Sequence, residues 1–207
     1  MPILMPSEQQ SFENAPLGSH IATLYQVIDL GTQINDYNPA DKKIQRQVMF
    51  TWELPNTKMK DGRPFSINKT YTLSSHEKAN LVNDINAWRG RAFTPAEFGA
   101  FDIEKLIGKS CFLQVIEKTS KKGKMYSKVG AIMALPAGQQ SIVLINKPLA
   151  FSLANFNQEI FNSIPEYWRT MIAASPEYRE IIGHNEQHEN EPPPVDHERD
   201  YLDQVPF

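Results

Sequence analysis

Two groups of residues in this chain of 207 could do chemistry, and both point to binding. Between Ala40 and Gly130 stand 17 Lys or Arg against 9 Asp or Glu, a local excess of eight positive charges in a chain whose net charge is −3. Such a stretch is the electrostatic footprint of a surface that meets a polyanion. The candidates for phosphate contacts are Lys42, Lys43, Arg46, Lys58, Lys60, Arg63, Lys69, Lys121, Lys122, Lys124 and Lys128. Aromatic residues interleave with them, and a ring beside a cation can stack on a base of any identity because every base has a π-face. Tyr37, Phe65, Tyr71 and Tyr126 are the stacking candidates, whereas Phe50, Trp52 and Trp88 follow core patterns.

The second group closes the sequence. Asp200, Asp203, Val205, Pro206 and Phe207 combine acidic side chains, a small apolar cluster and a terminal carboxylate, the features that a basic-rimmed apolar pocket on a partner would capture. From His184 to Phe207 there are seven acidic residues against Arg199 alone, with Pro192, Pro193 and Pro194 opposing any helix. Low hydrophobicity and high charge leave too little apolar surface to offset the entropy of ordering, so residues 184–207 are expected to form a disordered acidic tail.

Catalytic chemistry has little support. His20 and His76 are isolated, and Lys121-Lys122-Gly123-Lys124 lacks the preceding Gly and following Ser or Thr of a phosphate-binding loop. The carboxylates of residues 1–183 are scattered, while His184, His188 and His197 with Glu186 and Glu189 fall in the tail, where nothing rigid would support a metal. No catalytic residue, metal or cofactor is expected. Cys111 is alone in an apolar run and reads as a buried, inert thiol of a reducing compartment. No signal sequence and no membrane span is apparent, so a soluble cytoplasmic protein is expected.

The positioning elements are mostly strands. Ile21–Leu30 is β-branched and aromatic and ends at Gly31; in Arg46–Leu54, Val48, Phe50, Trp52 and Leu54 alternate with Gln47, Met49, Thr51 and Glu53, which predicts a half-buried strand stopped by Pro55. A charged turn leads to a third strand over Ile67–Leu73, and Ser74-Ser75 could cap a helix over Glu77–Trp88 with Leu81, Ile85 and Trp88 on one face and Gly90 as its stop. Ser110–Lys118 and Met125–Met133 then pair around a turn at Gly123. Five strands with a helix between the third and fourth is the element order of the OB-fold, a small, partly open barrel that binds oligonucleotides. The expected fold is therefore mainly β, with an N-terminal arm (1–17), the barrel (18–145), a small helical extension (146–183) and the acidic tail. The extension carries two similar helix starts, Ser163-Ile164-Pro165-Glu166-Tyr167 and Ala174-Ser175-Pro176-Glu177-Tyr178; its aromatic residues require cover by the barrel or by another subunit.

Three segments, Gly18–Gly31, Val48–Pro55 and Leu106–Val115, give the chain a resemblance to bacteriophage-type single-stranded-DNA-binding proteins over roughly residues 15–138. Independently, the closing Pro206-Phe207 resembles the ends of bacterial single-stranded-DNA-binding proteins, although Tyr201, Leu202 and Gln204 stand where those tails carry more Asp. The resemblance implies a non-enzymatic protein that coats single strands without sequence preference during DNA replication, recombination or repair. Its tail would recruit replication or recombination proteins and compete with DNA. A protein-binding OB adaptor and a nucleic-acid-processing enzyme are the alternatives.

Overall fold

The structure, a computed structural model, describes residues 13–35, 43–94, 96–97, 100–120 and 123–189. Its elements in chain order are β1 (Gly18–Asn35), β2 (Lys43–Lys58), β3 (Pro64–Thr72), α1 (Asn80–Arg89), a 3-10 turn (Ile103–Leu106), β4 (Ser110–Thr119), β5 (Met125–Met133), β6 (Leu149–Phe151), α2 (Gln158–Ser163), α3 (Glu166–Ala173) and α4 (Pro176–Glu189). The fold is mainly β, and the helix between the third and fourth strands is present. The strands form one sheet in the order β3-β2-β1-β4-β5, antiparallel throughout, and the short β6 joins β1 in parallel at Gln26–Ile28.

The expected barrel is not closed, because β3 and β5 share no ladder. Residues 13–15 instead tie the β2–β3 turn to β5. Glu13 Oε2 accepts from the Lys60 N–H at 3.4 Å, Asn14 Nδ2 donates to the Met125 carbonyl at 3.3 Å, and Ser127 Oγ donates to the Ala15 carbonyl at 2.5 Å.

The alternation in β2 delivers Val48, Phe50, Trp52 and Leu54 to the main core, where they meet Leu24, Ile67, Leu113 and the Leu81, Ile85 and Trp88 face of α1. Trp52 and Phe50 are fully buried, each contributing about 1.5 to 3 kcal/mol or more through its apolar area. Trp88 packs 6.1 Å from Trp52, and its Nε1 donates to the Ser110 carbonyl at 2.8 Å. Cys111 is buried as expected, and desolvation raises its thiol pKa.

Several boundaries differ from the sequence reading. β1 runs through Gly31, which sits at a bulge with φ +70 instead of ending the strand. β2 passes Pro55, which lies in a break of the β2–β3 register where no ladder donor is required. α1 starts at Asn80 with no side-chain cap, because the polar groups upstream make local turns: Ser74 Oγ accepts from His76 N–H and His76 Nδ1 from Lys78 N–H. Gly90 stops the helix as expected, at φ 72.

β2 is also buried on both faces rather than half-buried, since Met49, Thr51 and Glu53 are inaccessible as well. The extension folds back over this second face and builds another core from Ile28, Leu30, Met49, Phe151, Leu153, Phe161, Ile164 and Ile172. Phe151, Phe156, Phe161, Trp168 and Tyr178 are thus covered by the chain's own sheet and helices, while Tyr167 stays 69% exposed. Both helix starts form, with Pro165 immediately before α3 and Pro176 opening α4, which reaches Glu189 and so enters the segment read as tail. Among the described residues no helix is long and apolar enough to cross a membrane.

Candidate nucleic-acid interface

The β4–β5 hairpin carries the best-formed basic and aromatic surface. Its register pairs Ile116 with Lys128 and Lys118 with Tyr126, and direct partners share a face of the sheet. All four are exposed, with Tyr126 at 38% and Ile116 at 39%. Gly130 keeps this face low: a Cβ there would stand 2.9 Å from Ile116 Cγ2. The turn places exposed Lys124 at the tip, closed by Ser120 N–H to the Lys124 carbonyl at 2.8 Å, Lys124 N–H to Ser120 Oγ at 3.0 Å, and Gly123 at φ 77. Lys118, Lys124 and Lys128 have no carboxylate partner among the described residues, so their charge remains available to an outside anion. Lys118 was not among the sequence candidates; its signal was the strand pairing that sets it opposite Tyr126.

The β2–β3 turn adds Lys58 and Lys60, both exposed. Residues 13–15 hold this turn beside β5, so its cations and those of the β4–β5 hairpin occupy neighbouring parts of the surface. Arg63 at the same turn is exposed but bound to Asp61 at 2.6 Å, and its guanidinium lowers the pKa of that carboxyl.

Other candidates are committed to the fold. Phe65 and Tyr71 are buried, at 7% and 3% exposure, which removes both as stacking platforms. The reason is register: Phe65, Ile67, Lys69 and Tyr71 pair with Leu54, Trp52, Phe50 and Val48, on the inward face of β2. Tyr71 donates its hydroxyl to Asp84 Oδ2 at 2.8 Å, Lys69 Nζ reaches the same oxygen at 2.5 Å, and burial raises the phenol pKa. Lys69 is therefore an ion-pair partner of α1. Arg46 is likewise bound to Asp29 at 2.5 Å, a hydrogen bond that raises its pKa. Lys43 is exposed at the start of β2. On the outer face of β3 the exposed residues are Ser66, Asn68 and Thr70, none of them aromatic.

Tyr37, Lys42, Lys121 and Lys122, and the partner-capture residues Asp200, Asp203, Val205, Pro206 and Phe207, lie outside the described residues.

No protein-family model and no curated protein matches the chain.

Proposed function

We propose that the protein binds single-stranded nucleic acid without sequence preference and does so as an OB-type module. The observation that carries this reading is Tyr126 exposed on a hairpin face beside Lys118, Lys128 and Lys124, none of them neutralised by a carboxylate among the described residues. Lysines there would follow the phosphates while the phenol ring stacks on a base, a pairing of groups that tolerates any sequence. The central position of β1 between β2 and β4, with α1 between β3 and β4, supports the OB assignment, since that fold is a partly open barrel. On this reading the strand runs over the β4–β5 hairpin and the Lys58–Lys60 turn. The faces of β1 and β2 beneath the extension are occupied by the second core.

The protein would coat transient single strands in replication, recombination or repair, with its acidic end recruiting partner proteins. The test is a titration of the full chain with oligo-dT and with a duplex of equal length at two salt concentrations. Affinity for the single strand is expected to exceed that for duplex and to fall with salt at a log-log slope of about 0.7 per phosphate neutralised. Absence of binding at low salt, or a salt-independent affinity, overturns the proposal.

A further inference from the structure

The outward face of the β4–β5 hairpin holds two apolar and two cationic side chains in a crossed arrangement. Ile116 pairs with Lys128 and Lys118 with Tyr126, and these two rungs lie two residues, or about 6.8 Å, apart along the strands. Each rung offers one apolar side chain and one ammonium, and the two kinds swap strands from one rung to the next. Ile116 and Tyr126 are therefore diagonal neighbours, about 7 to 8 Å apart and within reach of each other's side chains, while Lys118 and Lys128 end the other diagonal.

The surroundings leave this face to an outside ligand. The reverse face is committed to the fold, since Val115 and Val129 enter the main core and Ser127 Oγ donates to the Ala15 carbonyl. Glu117, the one carboxylate of β4 and β5, pairs with Ser127 and so lies on that reverse face, away from both lysines. Neither lysine has a carboxylate partner elsewhere among the described residues. Gly130 is skipped by the register, and a Cβ there would stand 2.9 Å from Ile116 Cγ2 and 3.3 Å from both its Cγ1 and its Cδ1. The Ile116 side chain thus lies down over the glycine and forms a low apolar shelf next to the Tyr126 ring.

We propose that Ile116 is a second base platform, so that this face holds two successive nucleotides of a single strand, one base on Tyr126 and the next on Ile116, with Lys118 and Lys128 meeting phosphates on either side. The inference rests on the nucleic-acid reading above and adds to it a binding residue and the number of bases held. Charge selects the occupant. An apolar protein segment would cover Ile116 and Tyr126 but leave two ammonium groups beside them unanswered, whereas a dinucleotide step supplies apolar faces and anions together. A duplex keeps its bases stacked and paired, so it would engage the lysines alone.

The test is a titration of labelled oligo-dT with the full chain and its variants, followed by fluorescence anisotropy at two salt concentrations. Ile116→Ala is expected to weaken binding about 3- to 10-fold, less than the loss of a ring because an aliphatic shelf covers less of a base. The salt slope should stay as in the wild type, since no ammonium is removed. Ile116→Trp supplies a second readout, because an indole there is quenched when a base stacks on it. Its emission should fall on saturation with oligo-dT well beyond that of the wild type, whose Trp52, Trp88 and Trp168 are packed in the two cores. Val143→Trp, a control at an 86% exposed position outside the hairpin, should show no added quenching. Unchanged affinity in Ile116→Ala, a loss accompanied by a flattened slope, or equal quenching in the two tryptophan variants would each overturn the second platform while wild-type binding stands. A wild type that does not bind oligo-dT would overturn it together with the reading on which it rests.

Discussion

Gly31 and Ser175 approach so closely that a Cβ added at Gly31 would lie 2.6 Å from the Ser175 Cβ. The glycine sits in the β1 bulge at φ +70, and Ser175 stands between α3 and α4, so this contact is where the extension is seated on the sheet. Gly31→Ala would combine left-handed backbone strain with a collision against a buried neighbour, for an expected loss of about 2 to 4 kcal/mol. Gly62→Ala separates the two effects, since Gly62 has φ +85 and nothing within 4 Å of a new Cβ. Thermal or urea unfolding of both variants should find Gly31→Ala the more damaging, and equal losses would mean that the seat at Ser175 adjusts freely.

A second tie joins the extension to β1, and it is sensitive to pH. Glu177 on α4 accepts from Thr32 N–H at 2.9 Å and from Thr32 Oγ1 at 2.5 Å. Partial burial works against its ionisation, but the Thr32 hydrogen bonds and the charge of Arg46 outweigh it and hold the carboxyl below its ordinary range. A lowered folded-state pKa gives stability that is complete above the unfolded value, about 4.3, and is lost as pH falls through the folded value beneath it. Glu177→Gln should therefore be less stable than the wild type at pH 7, with the difference shrinking as pH falls below about 4.3. A difference that persists unchanged at pH 3 would show that the carboxylate charge is not what matters.

The parts of the fold that were legible in the sequence are those written in local pattern. Alternation in Arg46–Leu54 identified the inward face of β2, and Pro165 and Pro176 marked the starts of α3 and α4. What was not legible depends on contacts between distant segments. Gly31 reads locally as a strand end, yet it is a bulge that admits Ser175, 144 positions away. Glu53 reads as a solvent-facing residue, yet it is buried because the Ile145–Asn146 backbone and the extension cover it. The same limit governs the candidate interface. Tyr71 and Tyr126 both sit in charged surroundings in the sequence, and only the pairing of Tyr71 with Val48 and of Tyr126 with Lys118 sends one ring into the core and leaves the other outside.

Those two tyrosines give a sharp test of the nucleic-acid surface. Tyr126→Ala should weaken single-strand binding by about 1 to 3 kcal/mol while leaving the salt slope intact, because stacking releases no counterions. Replacing Lys118, Lys124 and Lys128 together by Ala should weaken binding to all sequences and flatten that slope by up to about 2. Tyr71→Phe removes the hydroxyl that Asp84 accepts from, so it should cost about 1 kcal/mol of stability with affinity unchanged. A loss of affinity confined to Tyr71→Phe in the folded protein would move the binding surface to β3 and away from the β4–β5 hairpin.

The acidic end supplies the last prediction, and α4 decides where the chain should be cut. Because the helix reaches Glu189, truncation after that residue preserves α4 and removes five acidic side chains against one basic, Arg199. A tethered segment of that charge can occupy a basic surface at an effective concentration approaching the millimolar range, so it should compete with nucleic acid for Lys118, Lys124 and Lys128. The truncated protein is expected to bind oligo-dT more tightly than the full chain, with a gain that shrinks as salt screens both competitors. Deleting Pro206 and Phe207 alone leaves nearly all of that charge in place, so it should preserve DNA affinity while abolishing capture by any partner pocket that reads the terminal ring. Fluorescence anisotropy with labelled oligo-dT at two salt concentrations measures both variants. Weaker binding by the folded truncation would mean that residues 190–207 contribute to the DNA-binding surface and do not oppose it.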